Sequence, residues 1–205
     1  MNSLVSIAAF GVVTFDGGDT ADFKLYLKRP NLMRIQMTKN NEEYSKIYDG
    51  KNGYISFKDD MGTTTIRPIT GDALDGLRQD ANLDGKFYQI SDEPQCLEIV
   101  GLSEVNGEPA YEILIAQEAG FNYQRMWIHE EHFYEMKMSR TTLDELGAEI
   151  VEELIMSDFT RLKGVWAAKR ISRYSGDKLV QDVKIDRFRH NIGLFNELFE
   201  KPESE

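Results

Sequence analysis

From Leu32 to Thr38 apolar and polar side chains alternate, with Met33, Ile35 and Met37 on one side and Arg34, Gln36 and Thr38 on the other. That period of two predicts a half-buried strand. Pro30 restricts Arg29 to extended backbone and donates no hydrogen bond, so it suits the entry of that strand. Upstream, residues 4–15 are apolar and β-branched, and Asp16-Gly17-Gly18-Asp19 turns the chain into a strand over 21–28. The chain therefore opens with a hairpin. Ile47-Tyr48, a turn at Asp49-Gly50-Lys51-Asn52-Gly53 and Tyr54-Ile55-Ser56-Phe57 make another, and Asp59-Asp60-Met61-Gly62 leads into a strand over 63–69.

The period changes between Thr70 and Tyr88, where Ala73, Leu74, Leu77 and Ala81 are spaced for one helical face. Thr70 or Asp72 is the expected N-cap, and Gly85 the expected end, of one helix or two short pieces. Strand signals then return over 96–102, 110–116, 123–128, 133–140, 149–158, 165–174 and 179–188, separated by turn residues such as Asn106-Gly107, Gly147 and Ser175-Gly176-Asp177. About ten strands at this spacing, with few helices, predict a mainly β (α+β) chain: a large antiparallel sheet that curls or closes. Leu194 to Phe199 reads as a short amphipathic tail, and Glu203-Ser204-Glu205 is expected to fray. No linker, repeat or low-complexity stretch divides residues 1–205, so one domain is expected.

Charge narrows the partners. A net charge of -11 opposes nucleic acid and other polyanions, whose binding needs concentrated positive charge. The basic pairs Lys28-Arg29 and Lys169-Arg170 read as solvated strand edges. Cys96 is the sole cysteine, which leaves no intrachain disulfide and no zinc site built on paired thiolates. The apolar run Leu4 to Val13 lacks a preceding basic residue and a following small-residue cleavage site. It reads as a strand, too short for the roughly 20 residues of a membrane helix.

Candidate chemistry is sparse. His129-Glu130-Glu131-His132 has the residue types of a metal site, but not the spacing of the helical zinc motif. It falls between two predicted strands and reads as a hairpin tip. No G-x-S-x-G nucleophile turn and no phosphate-cradling glycine loop occurs, and paired acids such as Glu152-Glu153 or Asp59-Asp60 are unspecific among 35 acidic residues. No catalytic residue, metal site or cofactor is expected. What remains is apolar. Met33, Ile35, Met37, Tyr54, Phe57, Trp127, Met136, Met138, Met156 and Trp166 lie in predicted strands or beside turns, and are the candidates for lining an apolar cavity. Methionine adapts to ligands of variable shape, and a curled sheet can leave a cavity beneath its helical cover.

An ordered set of segments resembles the outer-membrane lipoprotein-sorting proteins, the LolA/LolB-like superfamily. They are Phe23-Lys24-Leu25-Tyr26-Leu27-Lys28-Arg29-Pro30-Asn31; Tyr48-Asp49-Gly50 with Gly53-Tyr54; Val100-Gly101 followed by Val105-Asn106-Gly107-Glu108-Pro109-Ala110-Tyr111; Ser157-Asp158-Phe159 with Gly164-Val165-Trp166; and Leu198-Phe199-Glu200-Lys201-Pro202. The resemblance implies a strongly curved, unclosed antiparallel half-barrel with helices as a lid over an apolar concave face. It also implies a non-catalytic periplasmic or outer-membrane-associated binding protein, its signal peptide removed, that holds a lipid, a lipoprotein acyl chain or another apolar ligand. Each buried methylene contributes about 0.8 kcal/mol, so such a carrier must supply an apolar interior. An alternative use of the same fold is an envelope protein-protein interaction or stress-sensing module with a protein partner.

Overall fold

The period-two segments pair into one 13-stranded antiparallel sheet in the order β6-β5-β4-β3-β2-β1-β13-β12-β11-β10-β9-β8-β7. This computed structural model describes residues 4–90, 94–144 and 146–202. The strands are β1 (Ser6–Phe15), β2 (Thr20–Lys28), β3 (Leu32–Lys39), β4 (Glu42–Tyr48), β5 (Gly53–Lys58), β6 (Thr64–Ile69), β7 (Leu97–Val105), β8 (Glu108–Ile115), β9 (Arg125–His129), β10 (Glu135–Leu143), β11 (Glu149–Leu162), β12 (Val165–Ser175) and β13 (Lys178–His190). Between β6 and β7 lie α1 (Asp72–Asp80) and α2 (Lys86–Ile90). The mainly β, unclosed architecture is the expected one, with more strands than the ten expected.

Strands adjacent in sequence pair with one another, except β6 and β7, and β1 also pairs with β13. Two meanders thus join at one seam, and the helical segment connects their free edges, β6 and β7. Met33, Ile35 and Met37 lie opposite Leu27, Leu25 and Phe23 of β2, and opposite Tyr48, Lys46 and Tyr44 of β4. Cross-strand partners share a face. That face is the one α1 covers, since Leu74, Leu77 and Ala81 pack with Met33, Tyr48 and Ile69. On the other meander Met126 and Met138 pair in register and pack with Ile90 and Phe87 of α2. Both halves therefore turn the same face to the helices, and the sheet curls around them.

α1 begins after Gly71, which has a positive φ of 61° and offers no side-chain cap, so neither Thr70 nor Asp72 is the N-cap. It ends at Asp80, and Gly85 (φ 94°) instead separates α1 from α2. The C-terminal segment packs on the opposite, outer face: Lys28 Nζ donates to Leu194 O and Asn196 Oδ1, Arg34 Nη1 donates to Leu198 O, and Phe199 is buried. The frayed end expected at Glu203-Ser204-Glu205 lies outside the described residues.

Arg29 follows β2 and joins Arg29 Nη2 to Asp84 Oδ1 at 2.5 Å and Nη1 to Asp84 Oδ2 at 2.7 Å. It also donates from Nε to Leu4 O. The reading of Lys28-Arg29 as solvated charges is thus corrected: one side chain fastens the tail, the other the α1-α2 loop. Strand order hides this, because both partners are distant in sequence.

Candidate functional site

Alternation along each strand and the pairing register assign the expected cavity residues to faces. Met33, Ile35, Met37, Phe57, Met138 and Met156 lie on the inner face. Met33 and Met138 are buried beneath α1 and α2. Ile35, Met37 and Met156 are half-buried, and Phe57 is 41% exposed.

The floor between the helices and the far rim is continuous and apolar. Ala9, Val13, Ala21, Phe23, Val183 and Ile185 form its buried base, with Leu25, Ile35, Met37, Ile171 and Phe188 packed on it and still partly open to solvent. Half-buried apolar side chains lining a curved sheet leave surface that an apolar ligand can remove from water, each fully covered aliphatic side chain contributing about 1.5–3 kcal/mol. One end is plugged by Leu4, Ile7 and Leu83 with Leu162 and Val165 against them. Phe15, 36% exposed, and Phe57 stand toward the other end.

Tyr54, Trp127, Met136 and Trp166 are placed on the outer face instead. Tyr54 pairs with Ile47 and Pro68, away from α1. Trp127 stands beside Lys137 Nζ, 4.8 Å from the ring centre, and borders an outer cleft of about 290 Å³ with Val105 and Ile155. Met136 falls at a register shift in β10, which swings it onto Val105 and Ala110. Trp166 belongs to an aromatic stack. His129 lies 4.8 Å from His132, His132 lies 5.2 Å from Trp166, and Tyr134 lies 3.9 Å from Phe159. His129 Nδ1 accepts the backbone N–H groups of Glu131 and His132. The His-Glu-Glu-His segment is indeed the β9-β10 hairpin tip, where His129 braces the turn and His132 stacks on Trp166 of β12.

Sequence reasoning missed a polar group within the inner face. Glu135 Oε1 accepts the Phe87 N–H at 2.5 Å. Burial raises its carboxyl above the usual carboxylate range, against the pull of the Phe87 and Lys86 amides and the Lys86 ammonium. Burial likewise lowers Lys86 to about 8, with Glu135 opposing. Lys86 Nζ also contacts Asp80 and stands 5.6 Å from the Tyr123 ring centre. Arg140, paired with Glu152, reaches the same ring at 5.9 Å. The alternation of charged residues within β10, β11 and β12 could have raised these inward charges, but helix α2, which collects them, carries only the weak signal of a five-residue helix. Among the described residues no three His, Cys, Asp or Glu side chains converge to hold a metal ion.

No protein-family model and no curated protein matches the chain. Solved structures do match in fold. A domain described as an outer membrane lipoprotein-sorting protein domain, from Vibrio parahaemolyticus, aligns with a TM-score of 0.63 at 10% identity over 95% of this chain and 89% of its own. A DUF1329 family protein from Desulfovibrio piger aligns with a TM-score of 0.64 at 16% identity, over 97% and 91%. A LolA superfamily protein from Nitrosomonas europaea aligns with a TM-score of 0.57 at 13% identity, over 98% and 91%. The chain is LolA-like in fold over nearly its whole length, as the ordered segments implied.

Proposed function

We propose that this chain is a non-catalytic carrier or sensor of the bacterial envelope that holds the apolar part of a lipid or lipoprotein against the inner face of its sheet. The observation that carries this reading is the half-open apolar floor of Leu25, Ile35, Met37, Ile171 and Phe188, with Met156 beside it. A short chain reaches that floor from the rim. A longer chain gains Met33 and Met138 only when α1 and α2 lift from the sheet. Fold likeness to lipoprotein-sorting proteins agrees with this use but does not transfer it, since one fold serves many functions.

Solvent extraction and mass spectrometry of protein purified from its own host test the reading. Co-purifying lipid is the expected result. Protein that arrives free of lipid, and that fails to bind the uncharged apolar dye N-phenyl-1-naphthylamine, overturns it.

One feature favours a protein partner as the second reading. Edge strand β7 exposes Ile99 (67%), Val100 (52%) and Leu102 (60%), while the opposite edge carries Pro68, which discourages strand addition. Exposed Glu98 and Glu104 flank those side chains, so the fitting occupant is an extended segment with an apolar centre and basic flanks. A second copy would bring like charges together. A stoichiometric protein partner recovered without lipid, and lost on Ile99→Lys, supports this use over the first.

A further inference from the structure

Among the described residues, two cations share the inner face without an acidic side chain bonded to them. Lys46 lies in register between Ile35 of β3 and Ile55 of β5. Arg173 lies in register between Leu154 of β11 and Gln181 of β13. Five strand steps separate β4 from β12 along the sheet, yet the curl brings the two charges within electrostatic reach, and Arg173 also acts on Lys86 and Tyr123. Among the described residues neither Lys46 nor Arg173 makes a hydrogen bond or ion pair, whereas the neighbouring Lys86 and Arg140 face Asp80 and Glu152. Lys46 is half-buried and Arg173 exposed, so in a chain of net charge -11 it is Lys46, beside Ile35 and Ile55, whose uncompensated charge costs free energy that a carboxylate would have removed. Lys46 bears that cost: burial and Arg173 together depress its ammonium.

We propose that Lys46 and Arg173 form the head site for an anionic amphiphile, a single-chain or multi-chain lipid whose carboxylate or phosphate lies between them while its tail runs along Ile35, Met37, Ile171 and Met156. The anion supplies the charge the fold omits, and Arg173 offers a planar fork suited to either group. The tail side chains adjoin the cations directly: Ile35 is the cross-strand partner of Lys46, and Ile171 and Met156 pair with each other two residues from Arg173. This inference rests on the apolar floor being the ligand face and adds the class of ligand.

Displacement of N-phenyl-1-naphthylamine by tail-matched detergents below their micelle-forming concentrations tests it. Dodecanoate and dodecyl phosphate are expected to displace the dye at concentrations about tenfold lower than dodecyl maltoside, with dodecyltrimethylammonium weakest, on the order of one added ion-pair contact. Acetate and inorganic phosphate, heads without tails, are expected to leave the dye bound. Lys46→Gln with Arg173→Gln is expected to erase the preference for anions and keep dodecyl maltoside binding, which also shows that the variant is folded. Equal potency of anionic and neutral dodecyl compounds on the native chain overturns the head site while leaving the apolar floor intact. Competition by acetate or inorganic phosphate as effective as that of the long-chain anions overturns it in favour of a small-anion site. Failure of the dye and every dodecyl compound to bind overturns the carrier reading itself.

Discussion

Gly53 illustrates how a residue's role escapes its local sequence. Within Asp49-Gly50-Lys51-Asn52-Gly53 it reads as a turn glycine, and Gly50 does have a positive φ of 95°. Gly53 is instead the first residue of β5, buried, where an added Cβ would stand 2.9 Å from both Leu74 Cδ1 and Leu77 Cδ2 and 3.1 Å from Ile69 Cβ. Its missing side chain lets α1 sit close on the sheet. Gly53→Ala is expected to lower stability by about 1–3 kcal/mol through overpacking, read from urea unfolding, while Gly18→Ala, with open space around it, bears only backbone strain. The same lesson holds for Met136 and Trp166. Both look like wall residues in a strand pattern, and a register shift or a distant aromatic stack places them outside.

At the scale of elements, α2 has five residues and cannot persist alone in water. Its hold comes from Phe87 and Ile90 in the apolar cluster over Met126 and Met138, and from Glu135 accepting its leading amides. That arrangement buries Lys86 as well, with a definite sign for pH. Below about 8 the folded and unfolded chains both keep the Lys86 proton. Between about 8 and the unfolded lysine value of about 10.4 only the unfolded chain keeps it, so the unfolded state binds more protons and stability rises with pH. The urea midpoint is therefore expected to gain between pH 7.5 and 10, by at most about 3 kcal/mol in free energy, relative to Lys86→Met. Parallel profiles for the two proteins would refute it. α1 was legible as a helix because its apolar spacing exceeds two turns; α2 was not, because five residues carry too little periodicity to stand out from a loop.

For the molecule as a whole, the helical segment is the sole covalent connection between the two edge strands, and it is pinned on both sides. Arg29 grips Asp84, Asn31 Nδ2 donates to Arg78 O, and Gln79 Nε2 donates to Gly120 O at 3.0 Å beside β9. Loss of the Arg29 fork removes one pin and leaves the sheet. Arg29→Gln is expected to speed amide hydrogen exchange across residues 72–90 about tenfold, the effect of roughly 1.4 kcal/mol, with β1 and β13 unchanged. Exchange that rises equally in every strand would show that Arg29 supports the whole fold rather than its cover.

The sequence by itself determined the strands, their turns and the change of period at the helices, because alternation and turn chemistry act between residues a few positions apart. It also determined the paired inward direction of Met33, Ile35 and Met37. Only the tertiary structure decided which side of each later strand faces the helices, what Arg29 and Lys28 hold, and that Lys46 and Arg173 share one face of the curved sheet. Those outcomes depend on register shifts and on the closure of a curved sheet, where residues far apart in the chain are brought together by packing that no short window of sequence encodes.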